Sequence, residues 1–165
     1  MHHLWSPWRM KYIRSNRTPK GCVFCSAHKS SDDEKHLVVF RGQNAFVILN
    51  KFPYTSGHVM VVPNAHIDTF DKMDAETCSE VMRLIRHSIN TIDKVYKAEG
   101  YNMGANLGSS AGAGIADHIH FHIVPRWEGD TNYMTAIGQT RVLPEDLRET
   151  FERLRTAWPQ DEPDA

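Results

Sequence analysis

The chain has 165 residues, of which 41% are hydrophobic and 24% charged, with a formal net charge of −1. That length and balance suit about one globular domain with a real core, and the near-neutral charge excludes a global basic field for holding nucleic acid. No apolar run approaches the roughly 20 residues of a membrane span, and three cysteines do not make a disulfide framework. The N-terminal stretch carries aromatics, Arg9, Lys11 and Arg14 rather than the apolar region of a secretion signal, so a cytoplasmic protein is expected.

In chain order, the pattern predicts strands at His36–Arg41 and Ala45–Asn50, joined by a Gly42-Gln43 hairpin, and a third strand at Gly57–Pro63. Asp74 can cap a long helix whose stripe is Cys78, Val81, Met82, Ile85, Ile89, Ile92 and Val95, with Gly100 ending it. Tyr101–Leu107 reads as a returning strand and Asp117–Val124 as another. Pro144 opens a shorter helix that buries Leu147, Phe151, Leu154 and Trp158. The expected fold is α+β, an antiparallel sheet flanked by a long and a short helix, in a single domain over residues 1–158. Residues 159–165 read as a disordered acidic tail.

His118-Ile119-His120-Phe121-His122 is the densest chemical signal. On a strand, alternate side chains share a face, so the three imidazoles lie about 7 Å apart on one side. Ile119, Phe121 and Ile123 cover the other side. Three readings fit such a row: a metal ligand set, an imidazole nucleophile flanked by helpers, or the wet side of a sheet. Immediately upstream, residues 106–117 are rich in Gly, Ser and Ala. Glycines such as Gly112 let backbone N–H groups approach an anion, and Asn106, Ser109 and Ser110 add side-chain donors. Alone such a run is usually a flexible turn; beside three histidines it suggests phosphate oxygens held next to a nucleophile.

Cys22-Val23-Phe24-Cys25 is a spacing that lets two thiolates reach one tetrahedral ion. The alternatives are a redox pair or two small buried residues, and Cys78 reads as core.

The histidine row with Pro125-Arg126 after it resembles the histidine-triad (HIT) superfamily of nucleotide hydrolases and transferases. Residues 50–63, from Asn50 through Gly57-His58 to Pro63, are similar to the family's nucleoside-holding strand–turn–strand. Residues 4–13 and 125–133 look like the branch of diadenosine-polyphosphate hydrolases and phosphorylases. The resemblance implies an antiparallel sheet flanked by helices, paired in a homodimer through the long helix and the sheet edge. It implies His120 as nucleophile through a covalent nucleotidyl-histidine, His122 on phosphate oxygens, and His118 orienting the site or holding zinc. It implies zinc on Cys22, Cys25, His66 and His118, as structural metal rather than a participant in the chemistry. Asn50, His58 and Asn106 match its nucleotide contacts, although Asn50 also reads as a strand-end Asn and His58 as a core histidine. Phe24, Phe46 and Leu49 serve equally as an adenine slot or as core, and His28, His36 and His87 read as surface residues. Many members place a hydroxyl just before the first histidine, whereas this chain has Gly114, Ile115 and Ala116 there. The activity implied is that of a nucleotidyl hydrolase or transferase cleaving the α-phosphate linkage of dinucleoside polyphosphates or related adenylates, and the residues alone do not choose between water and phosphate. Inorganic phosphate as acceptor, phosphoramidate cleavage and a zinc-stabilised nucleotide-binding module without turnover are the alternatives.

Overall fold

The computed structural model describes residues 21–131 and 145–159. The expectations placed on residues 4–13, on Pro144, on 132–133 and on the tail beyond 159 lie outside the described residues. Strands β1 (Val38–Arg41), β2 (Ala45–Leu49), β3 (Val59–Pro63), β4 (Gly100–Gly104) and β5 (Phe121–Arg126) form one sheet. Its order is β1-β2-β3-β5-β4, and every neighbouring pair is antiparallel. Four helices accompany it among the described residues: α1 (Val23–Lys29), α2 (Asp33–His36), α3 (Ala75–Tyr96) and α4 (Leu147–Ala157). The expected α+β architecture with a long and a short flanking helix is therefore present.

Period-two alternation makes the central strands two-faced. Val47 and Leu49 of β2 and Val59 and Val61 of β3 join Val81, Leu84 and Ile92 of α3 and Phe151 and Leu154 of α4 in one core. Phe46, Ile48, Met60 and Val62 point the other way and meet Phe24 and Ala27 of α1. Helices α3 and α4 thus pack on one side of the sheet, and among the described residues the seven-residue α1 packs on the other. Phe24, Phe46 and Leu49 are all packed core, and Leu49 lies on the face opposite the two phenylalanines.

Several boundaries differ from the sequence reading for local reasons. The first strand begins at Val38, because Asp32 caps a turn of helix and Leu37 takes a left-handed φ of 61°. Asp74 does cap α3, accepting from the Thr77 N–H, but the helix ends at left-handed Lys97 rather than at Gly100. Met82 is exposed and leaves the stripe, whereas His87 is buried with its ring near Trp158. β4 stops at Gly104, and β5 starts only at Phe121, so His118, at a bend, and His120 precede the strand. Helix α1 went unrecognised: Cys22 at its N-cap supplies no side-chain cap, so the usual start signal is missing.

Arg41 at the end of β1 secures the far end of α1. Its guanidinium donates to the carbonyls of Ala27, His28 and Ser30 at 2.8, 2.9 and 2.7 Å and to Asp33 Oδ1 at 2.7 Å. A cation on the orphan carbonyls of a helix C-terminus is favourable on charge and hydrogen bonding together. Arg41→Ala is expected to lower unfolding free energy by about 2 kcal/mol in urea titration; a change below about 0.5 kcal/mol would show the clamp to be dispensable.

Candidate active site and metal-ligand cluster

The histidines lie on the α1 side of the sheet. His122 pairs across the ladder with Met60 on one side and Gly104 on the other, and the Phe24 ring lies 4.9 Å from that of His120 and 5.4 Å from that of His118. The rings of His120 and His122 are 4.9 Å apart at 75°. His118 and His120 are buried, and Ile119 and Ile123 behind them are buried too.

Partner chemistry assigns each imidazole proton. His118 Nε2 faces the Pro63 carbonyl at 2.9 Å. A carbonyl only accepts, so Nε2 carries the hydrogen and a neutral ring leaves Nδ1 bare. His120 Nδ1 faces the His118 carbonyl at 2.9 Å, which places the hydrogen on Nδ1 and a lone pair on Nε2. Fully buried His58 accepts the Tyr54 N–H on Nδ1 at 3.1 Å, with Asn50 Nδ2 at 3.4 Å from the same atom. Its Nε2 is therefore the donor to His122 Nδ1 at 3.0 Å, and His122 keeps its own hydrogen on Nε2. Burial lowers the pKa of His118 and His120, and that of His122 to about 4, with the neighbouring His120 adding to the last. All three imidazoles are neutral at pH 7.

Cys22, Cys25, His66 and His118 bring one ligand atom each to within 4.8 Å of one another. Cys22 Sγ is 3.3 Å from His118 Nδ1, Cys25 Sγ is 3.3 Å from His66 Nδ1, and the two Nδ1 atoms are 3.2 Å apart. Two bare or readily bared imidazole nitrogens facing two thiols is the donor set of a tetrahedral zinc site. The far nitrogen of His118 is held on the Pro63 carbonyl, as zinc ligands usually are, while His66 Nε2 lies 3.9 Å from the Asp117 carboxylate, beyond hydrogen-bond distance. Burial pushes the Cys22 thiol pKa up, which a bound cation would reverse.

The small-residue loop is open. Ser109 and Ser110 lie on an exposed 3₁₀ turn closed by left-handed Gly112, whose N–H donates to the Ser109 carbonyl at 3.0 Å. Asn106 is half-buried just before it. The structure thus joins Asn50, His58 and His122 by hydrogen bonds, and His120 to the His118 carbonyl, while Asn106, Ser109, Ser110 and Gly112 lie on the open loop upstream. Sequence reasoning missed Tyr54, whose ring lies 4.8 Å from that of His58 and 6.3 Å from that of His122. A lone Tyr in a Pro-containing turn carries no sequence signal for that role.

Residues 32–129 match the HIT domain family. The chain belongs to the HIT family. It is 38% identical over 96% of its length to an AP-4-A phosphorylase of Mycobacterium tuberculosis, covering 85% of that protein. It is 24% identical over 81% of its length to the adenosine 5'-monophosphoramidase hnt1 of Schizosaccharomyces pombe, covering 95% of it. The crystal structure of a zinc-bound histidine triad family protein from Mycobacterium smegmatis superposes with a TM-score of 0.67 at 28% identity, over 84% of this chain and 93% of that one. This HIT protein is an enzyme, as its named relatives are, and of the family's nucleotide hydrolase and nucleotidyltransferase kind. Among the described residues no helix is long and apolar enough to cross a membrane.

The neutral state of His122 has a stability consequence. Its folded pKa, about 4, lies below the free imidazole value of 6.5, so the unfolded chain binds more protons between those values. The stability it contributes is complete above pH 6.5 and is lost as pH falls. Urea titrations should show the wild type losing about 3 kcal/mol more than His122→Asn between pH 7 and 4; parallel pH profiles would contradict the buried neutral imidazole.

Proposed function

We propose that the chain transfers a nucleotidyl group from a dinucleoside polyphosphate through a covalent intermediate on His120. The observation that carries this reading is the tautomer order of the row. His120 Nδ1 is tied to the His118 carbonyl, which aims a lone pair on Nε2, and the adjacent His122 offers an N–H. An anionic α-phosphorus is hard to attack, so positioning and charge stabilisation dominate the chemistry. In the first step His120 Nε2 forms an N–P bond, the bridging P–O bond breaks, and the remaining polyphosphate leaves as an anion. His122 Nε2–H holds phosphate oxygens, and the loop of Asn106, Ser109, Ser110 and Gly112 supplies further donors at the rim. An acceptor oxygen then attacks phosphorus, the N–P bond breaks, and the lone pair returns to His120. Asn50 holds the ribose and His58 fixes His122. No hydroxyl stands at Gly114, Ile115 or Ala116, so backbone N–H groups and the serines take that place.

The resemblance to the Mycobacterium tuberculosis phosphorylase supports inorganic phosphate as acceptor, with water as the second acceptor. The pombe relative supports phosphoramidates as a further substrate class. Zinc on Cys22, Cys25, His66 and His118 supplies structural order when bound, and the zinc-bound relative supports it. The exposed outer edge of β4, with Asn102, Met103 and Gly104, and exposed Met82 on α3 suit the homodimer expected of the family. Three free cysteines suit a reducing cytoplasm. The working unit is one HIT domain over residues 1–158.

Chromatography of products from diadenosine tetraphosphate tests the reaction. Phosphate-dependent ADP and ATP are expected from wild type and none from His120→Ala, which should still bind nucleotide. AMP and ATP would make water the acceptor, and substantial turnover by His120→Ala would remove the nucleophile assignment. Elemental analysis and sedimentation of the same preparation should find one zinc per chain and a dimer. Replacing both Cys22 and Cys25 by Ser should abolish the zinc; a native protein without metal would refute the site, and a monomer the pairing.

A further inference from the structure

Helix α1 is held very differently at its two ends. Its C-terminal carbonyls are clamped by Arg41, whereas at its N-terminus the N-cap residue is Cys22, one of the four clustered ligand residues, whose thiol makes no capping bond. Between the two thiols stands Phe24, 2% exposed, with its ring against those of both His118 and His120. His118 itself faces the thiols through Nδ1 and holds His120 Nδ1 through its carbonyl. The His120 imidazole is thus constrained on two sides, by the Phe24 ring and by the His118 carbonyl, which lie on two segments that each contribute to the four-residue cluster.

We propose that the Cys22–Cys25 cluster sets the direction of the His120 imidazole, with Phe24 as the positioning residue that links them. The proposal rests on the reading of His120 as nucleophile. Zinc here adds nothing to phosphorus chemistry; it rigidifies the mount on which the nucleophile turns. The larger core lies on the opposite face of the sheet and shares no residue with the α1 cluster, so the fold survives while the imidazole loosens. Small displacements of a reacting group cost rate steeply, and outer-shell partners of metal ligands carry effects of about 10–100-fold.

The test compares wild type as purified, wild type stripped with a pyridine-dicarboxylate chelator, the stripped protein reloaded with zinc, and Phe24→Leu. Far-UV circular dichroism checks the fold, and 15N imidazole spectra report the His120 tautomer. In the stripped protein the Nδ1–H signal of His120 is expected to average or shift, and kcat to fall at least about tenfold with KM changed less than about threefold. Reloading should restore both, and Phe24→Leu should give an intermediate loss with zinc retained. Should the stripped protein unfold, Phe24→Leu decides alone. An unchanged His120 signal with kcat within about twofold overturns the proposal, as does a protein that takes up no zinc. If wild type cleaves no dinucleoside polyphosphate, the nucleotidyl-transfer reading fails, and the His120 signal by itself still decides the coupling.

Discussion

One residue, His118, joins the end of β3, the thiol cluster and His120 through three different atoms. Its Nε2 is anchored on the Pro63 carbonyl at the end of β3, its Nδ1 faces the thiols of Cys22 and Cys25, and its backbone carbonyl holds Nδ1 of His120. Remove the Pro63 contact and the proton on His118 is free to move to Nδ1, which would close the metal face. Remove the His118 carbonyl and His120 loses the bond that keeps its lone pair on Nε2. Tautomer choice therefore passes from the sheet into the site by hydrogen bonds whose donors and acceptors cannot be exchanged.

A second chain of the same kind runs through the turn before β3. The Tyr54 N–H fixes His58, and the His58 ring fixes His122, while His120 is fixed by the His118 carbonyl, so both rings are oriented by neutral groups. That matters for an anionic substrate. A carboxylate beside the row would repel phosphate, whereas peptide dipoles orient the rings without adding negative charge. Burial then keeps the row neutral, because charging three adjacent imidazoles in a desolvated site costs more than their partners return.

The sheet explains why this chemistry sits where it does. Both faces of β2 and β3 are buried, but α3 and α4 cover one face with long apolar stripes while α1 covers the other with little more than Phe24 and Ala27. Helix α1 is held by that buried cluster and at its two ends, by the Arg41 clamp and beside the thiols.

Much of this was readable in the chain. The alternation of His118, Ile119, His120, Phe121 and His122 encodes a two-faced segment within five residues, because strand periodicity is local and needs no partner to be recognised. The Asp74 cap and most of the α3 stripe are local for the same reason. By contrast, α1 is short and begins on a cysteine, and His87 looked like a surface residue until Trp158 of a distant segment covered it. The donor set of Cys22, Cys25, His66 and His118, and the pairs His58–His122 and Tyr54–His58, span separations from four to 96 residues. The sequence by itself determined which groups are available and which face of a strand or helix each takes, since those follow from periodicity and side-chain chemistry. Only the tertiary structure decided which nitrogen of each imidazole carries its proton and which sulfur and nitrogen atoms gather within 4.8 Å of one another, because both depend on partners that chain closure brings together.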